Sequence, residues 1–219
     1  MSGWLHSTQG PQAHLVLELL AYFVGARVYW AAARQQPLPP HLADRLLLLA
    51  SAIFGAALGS KLLHVLEHLP YLLEQNDRAL WLGGKSVLGG FLGGTVAVEI
   101  AKRFLRWPLS TGDAWVPALA VGLMIGRLGC QLSGTWDQTY GIATDLPWAW
   151  DYGDGMARHP TGLYEIAAVG LLWAAVRQWQ RKRWQAMPGA GFAAFMLGYC
   201  MLRLGLDFQI GRASCRERV

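Results

Sequence analysis

The sequence predicts an all-α fold, a polytopic bundle of six transmembrane helices, and three observations carry that expectation. Only 15% of the 219 residues are charged and 53% are hydrophobic, whereas about a quarter of a soluble domain is charged. The apolar residues gather into six blocks, at about 12–33, 43–66, 84–101, 113–132, 161–179 and 190–208, each close to the roughly 20 residues that a bilayer crossing takes. The loops between them alternate in charge. Arg34 and Arg45 bracket the loop after the first block, Lys102, Arg103 and Arg106 follow the third, and Arg177, Arg181, Lys182 and Arg183 follow the fifth. The other loops hold Arg78, Lys85 and Arg158 among Glu67, Glu74, Asp77, Asp137, Asp145, Asp151 and Asp154. Lys and Arg accumulate on the cytoplasmic side of a membrane protein, so the N-terminus is expected outside.

The elements follow in order. Met1 to Pro11 lacks a basic stretch followed by an apolar core, so no cleavable signal is expected and helix one serves as its own insertion signal. Helix two carries Lys61, His64 and His68 along one face. Such a stripe could bind a metal or relay protons, but no Cys or carboxylate completes a ligand set, and neither metal nor cofactor is expected. Helix three contains the pairs Gly89-Gly90 and Gly93-Gly94, suited to close helix packing. Helix four ends in Gly126-Arg127-Leu128-Gly129. Ser133 to Arg158 is then the one long polar stretch, with Trp136, Trp148, Trp150 and Tyr152 among four Asp. Aromatics of this kind settle at headgroup level, which makes the segment an arm on the outer interface. Arg158-His159-Pro160-Thr161 opens helix five, with proline followed by a threonine at the helix start. Helix six carries Arg203 and Asp207, four residues apart and able to pair locally. Cys130, Cys200 and Cys215 show no paired spacing.

Residues 1–208 are expected to form a single transmembrane domain, with 209–219 apart from it. Ile210 to Val219 resembles, residue for residue, a one-frame translation of a sequencing-adapter oligonucleotide, implying a reading frame interrupted near Phe208; a native basic tail is the other reading. Without that decapeptide the formal charge falls from +5 to +3, so the basic pI is no argument for nucleic acid, and no nucleic-acid partner is expected.

The chemistry lies in ionisable residues inside apolar blocks: Glu18, Arg27, Lys61, Glu99, Arg127, Glu165, Arg203 and Asp207. A charge at the centre of a spanning helix costs about 2.5–3.5 kcal/mol on insertion scales, and such residues face a protein interior or polar cavity. Arg127 is the sharpest case, because Gly126 and Gly129 leave room for a ligand to approach. An arginine fork suits a phosphate group, so a phospholipid headgroup is its natural partner, with an ion pair to Glu165 or Asp207 as the structural alternative. Arg27 reads as snorkelling to the interface, and Glu99 as a partner of Lys102 and Arg103. Arg158 beside the N-terminus of helix five makes a second anion site, against the alternative of an ordinary cap and a solvated arginine.

These residues resemble the prolipoprotein diacylglyceryl transferases of bacterial inner membranes. The likeness rests on Gly126-Arg127-Leu128-Gly129, on Tyr140-Gly141 in the arm, and on Arg158-His159-Pro160-Thr161-Gly162-Leu163-Tyr164-Glu165. Gly83 to Gly90, with Lys85 inside it, is similar to the glycine-rich start of that family's third helix. Gly198-Tyr199 with Arg203 and Asp207-Phe208 resembles its penultimate helix, and Tyr22 to Gly25 its first. The family has seven helices, so the resemblance implies that one is missing after Phe208. It also implies an enzyme that moves diacylglycerol from phosphatidylglycerol to the lipobox cysteine thiol of a prolipoprotein signal peptide. Arg127 and Arg203 would hold the phosphate as catalytic groups, and the phospholipid site would comprise Arg127, Arg158, Glu165, Gly126, Gly129, Gly141 and Tyr164. The chain departs from the pattern at four places. Leu88 stands where the family has a His, Cys130 where it has an Asn, and Glu18 at a first-helix Tyr position, while the arm is longer, with Asp137 as a candidate for its acidic residue. Lys85 would replace the His as proton acceptor if desolvation lowered its pKa. A different acceptor, or a non-catalytic lipid-binding or transport protein that keeps the lipid cavity, is the alternative these changes leave open.

Overall fold

The computed structural model describes residues 10–75, 84–137, 139–183 and 187–209. The tail from 210 onward, Asp77, Arg78 and Gly83 lie outside them, as do the side chains of Glu74, Asp137, Lys182, Arg183 and Asp207. Among the described residues there are six α-helices: α1 (Gly10–Ala33), α2 (Leu42–Gln75), α3 (Val87–Phe104), α4 (Trp115–Leu132), α5 (Thr161–Arg183) and α6 (Ala190–Gln209). They fall on the six predicted blocks, and the protein is an all-α helical membrane protein. Three segments among the described residues are long and apolar enough to cross a bilayer by composition alone, Gln12–Ala33, Leu42–Pro70 and Gly112–Leu132. α3 and α5 carry more charge, and the apolar stretch of α6, Ala190–Leu206, is shorter.

The chain divides into two compact units, Pro37–Leu109 and the residues flanking it on either side. In the first, α2 packs on α3 through glycines on both helices. A Cβ on Gly93 would strike the carbonyl oxygen of Gly55, and one on Gly59 the carbonyl oxygen of Gly89. Each glycine costs a helix up to about 1 kcal/mol relative to alanine, and the return is backbone-to-backbone approach without side chains between. The residues before α3 are tied back onto α2. Lys61 Nζ donates to the Gly84 carbonyl at 2.9 Å, and the Ser86 amide donates to Ser60 Oγ at 3.0 Å. Ser86 then caps α3 by accepting from the Gly89 amide at 3.4 Å. Rather than forming an isolated ligand stripe, the His64 and His68 rings stack 4.6 Å apart and the His64 ring lies against Gly84.

In the second unit α1 packs on α4, α4 on α5 and α5 on α6. Its fully buried side chains include Phe195, Tyr199, Val169 and Glu165. Gly129 lets α4 approach α1, where an added Cβ would meet that of Leu17 at 3.2 Å. Asp113, just before α4, accepts the amides of Gly189 (2.7 Å) and Phe192 (2.9 Å). A carboxylate far away in sequence thus caps the start of α6, where backbone N–H groups lack helical partners. Between α4 and α5 lies the predicted polar arm: a 3-10 turn at Gly134–Asp137, then a short antiparallel ribbon of β1 (Trp150–Asp151) and β2 (Ala157–Arg158).

Candidate functional site

α4, α5 and α6 each send a charged side chain to one point. Glu165 on α5 is fully buried, and its Oε2 accepts from Arg127 Nε of α4 at 2.9 Å and from Arg203 Nη1 of α6 at 3.0 Å. Its Oε1 accepts the Tyr199 hydroxyl at 2.9 Å. A buried carboxylate is tolerated only when charge and hydrogen bonds compensate it, and here two arginines and a phenol do so. Tyr199 precedes Arg203 by one helical turn, so both reach Glu165 from one face of α6. The expected local Arg203–Asp207 pair involves a side chain outside the described residues, whereas Arg203 is held between helices by Glu165. Arg127 Nη1 also lies 3.9 Å from Cys130 Sγ, a weak acceptor.

The two glycines beside Arg127 part ways. Gly126 faces open space, whereas the space beside Gly129 is taken by α1. Gly141 packs against His159 and donates its amide to the His159 carbonyl at 3.2 Å, which sets the arm against the start of α5. Tyr164, on the first turn of α5, has its hydroxyl 2.7 Å from the donating Trp148 indole N–H and 3.2 Å from His159 Nδ1. Tyr164 and His159 line a cavity of about 560 Å³ with Leu146, Met201, Leu202 and Gly205, apolar with a polar edge.

Arg158 is engaged within the arm. Its Nε and Nη2 both reach Asp154 Oδ2, at 3.1 and 2.8 Å, and its guanidinium carbon sits 4.5 Å from the centre of the Tyr140 ring. Burial raises the Asp154 pKa, but the Arg158 fork and the Met156 amide outweigh it and hold the carboxyl below its usual range. Lys85 lies just before α3, in the other unit, and is exposed. Leu88 is also exposed, at 40%. Glu18 accepts the Tyr22 hydroxyl at 2.9 Å.

One residue of this region, Gln131, escaped the sequence reading, and Tyr152, expected at headgroup level with the other arm aromatics, turns inward instead. Gln131 and Tyr152 are both buried, and the Tyr152 hydroxyl donates to Gln131 Oε1 at 2.9 Å, joining the arm to the end of α4. Burial raises the Tyr152 pKa against the hydrogen bonds to Gln131 and Thr161 that lower it. Gln131 Nε2 has no partner among the described residues. The available signal was an amide inside an apolar helix end, four residues after Arg127.

The family profile described as prolipoprotein diacylglyceryl transferase matches residues 14–210. The chain belongs to that family. Its members named phosphatidylglycerol–prolipoprotein diacylglyceryl transferase include a Bordetella parapertussis protein, 30% identical over 201 residues, which cover 86% of this chain and 75% of the relative. Another from Nitrosomonas europaea is 36% identical over 163 residues, covering 71% of this chain and 57% of the relative. One from Rhizobium meliloti is 33% identical over 207 residues, with coverage of 86% and 73%. The family is one of transferases, and the reading of this chain as a transferase rather than a non-catalytic lipid-binding protein agrees with it.

Proposed function

We propose that the chain transfers diacylglycerol from phosphatidylglycerol to the lipobox cysteine thiol of prolipoproteins, as a multi-pass protein of the bacterial plasma membrane with its N-terminus in the periplasm. The observation that supports this most is the meeting of Arg127 and Arg203, from different helices, on Glu165 inside an apolar bundle. Each guanidinium presents five N–H donors, so a carboxylate bond uses only part of its capacity. A phosphate ester seated there gains charge-assisted bonds that strengthen as negative charge develops on the leaving oxygen. The acceptor thiolate forms a C–S bond with the glycerol carbon, the C–O bond to the phosphate breaks, and glycerol phosphate departs with the electron pair. Glu165 and Tyr199 set the angle of the two arginines. The apolar cavity at Tyr164 suits an acyl chain, and the alternation of basic loops supports the orientation.

The test is expression of this chain in cells depleted of their own transferase. Restored lipid-modified prolipoprotein is the expected result, with Arg127→Gln abolishing it. A chain that binds phosphatidylglycerol in detergent yet transfers nothing to a lipobox peptide would overturn the enzymatic reading.

A further inference from the structure

A second concentration of cations lies in the other unit, at the C-terminal end of α3. Glu99, Lys102, Arg103, Arg106, Trp107 and Pro108 line an open cavity of about 380 Å³. Lys102 is buried, with its side chain only 9% exposed, and its Nζ is 2.8 Å from Glu99 Oε1. Among the described residues the guanidinium groups of Arg103 and Arg106 have no carboxylate partner. The indole N–H of Trp107 is buried and has no acceptor among the described residues. An orphaned buried donor costs about 1–3 kcal/mol, so the group that completes this place is an acceptor, and the surrounding cations make it an anion.

The backbone is arranged to the same end. Arg106 adopts φ 52°, a left-handed conformation that glycine takes readily and an arginine at a cost. The turn lets the Trp107 amide return to the Lys102 carbonyl at 2.9 Å and the Arg106 amide to Arg103 at 3.2 Å. The carbonyls of Ala101, Lys102 and Arg103, at the negative end of the helix dipole that would repel an anion, are therefore occupied by amides. Phe104 is 82% exposed and Leu109 41% on the same turns, which puts the cations at the edge of the hydrocarbon layer, where headgroup phosphates lie.

We infer that this cavity binds the headgroup phosphate of an anionic phospholipid, in a site separate from the Arg127–Glu165–Arg203 cluster. The chemistry recognised is a phosphate oxygen held by two arginines and the Trp107 N–H. The exposed Phe104 selects a lipid over a soluble phosphate. Its placement in the cytoplasmic leaflet rests on the proposed orientation; the binding itself does not, and it is read without turnover.

Native mass spectrometry of the full chain in detergent tests it, with phosphatidic acid, phosphatidylcholine and inorganic phosphate as probes. Phosphatidic acid should bind roughly 30-fold more weakly to the Arg103→Gln/Arg106→Gln variant, and about threefold more weakly to Trp107→Phe, which deletes only the N–H donor. Arg127→Gln should leave this component of binding intact. Phosphatidic acid bound within twofold of the parent by both variants would overturn the inference, as would equal binding of phosphatidylcholine. Displacement by inorganic phosphate at matched concentration would assign the site to a soluble anion and overturn the lipid.

Discussion

The α2–α3 hairpin and the α4–α5–α6 group solve helix association in opposite ways. The hairpin removes side chains, placing Gly55 and Gly59 against Gly89 and Gly93 so that backbones touch. The other group adds polar side chains, and its three helices meet at Glu165. Packing by small residues tolerates almost no added volume, because the opposing surface is backbone and cannot turn aside. Packing by charge tolerates volume but not the loss of a partner, since the remaining ion stays buried. The lesson is that the glycine surface is a structural solution only, whereas the charged one can also bind.

That contrast is open to test at graded strength. Glu165→Leu should have the largest effect, lowering stability by about 3 kcal/mol by taking the shared carboxylate from Arg127 and the half-buried Arg203, and abolishing transfer. Thermal unfolding in detergent and a transfer assay would read both, and an unchanged melting temperature would mean that the arginines relax to water. Gly93→Val should cost up to about 3 kcal/mol by forcing α2 from α3. If it melted like the parent, the glycine contact would not be holding the hairpin. Tyr152→Phe leaves Gln131 Oε1 without its donor, and should cost about 1 kcal/mol. Protease sensitivity between residues 140 and 158 should rise if the arm is anchored there.

The smallest effect concerns the Asp154–Arg158 pair. The folded Asp154 pKa is lowered, so its stabilising contribution is full above the unfolded value of about 3.9 and is lost as pH falls through the lower folded value. The arm should loosen only under acid, and Asp154→Asn should remove that pH dependence while costing less than about 1 kcal/mol. Proteolysis of the arm as a function of pH measures it.

The helices were legible because bilayer-length apolar blocks are a one-dimensional signal. Arg127, Glu165 and Arg203 were legible as candidates too, since a charge within an apolar block stands out whatever surrounds it. The Arg127–Glu165 pair was among the alternatives the sequence offers, but Arg203 joining the same carboxylate was not, because it depends on the rotation of three helices about their axes. The same limit hid Gly55 and Gly59, whose partners on α3 were noticed, and the Asp113 cap of α6, which spans 76 and 79 residues to its two amides. Arg158 read as an anion site from its neighbours at a helix start. Its engagement by Asp154 is a matter of the ribbon turn, where Asp151 Oδ1 accepts the amides of Gly153 and Gly155 at 2.8 and 3.1 Å.

The order of the charged residues along the chain bears on how it enters the membrane. Synthesis delivers α4 with Arg127 first, then α5 with Glu165, then α6 with Arg203. An arginine inserted alone bears a penalty of about 2.5–3.5 kcal/mol, and α5 falls short of spanning on composition alone. Glu165 is then available as the counterion of an arginine already delivered on α4, and the same Oε2 later takes Arg203 when α6 follows, while Oε1 takes Tyr199. One carboxylate thus answers cations that the chain delivers both before and after it.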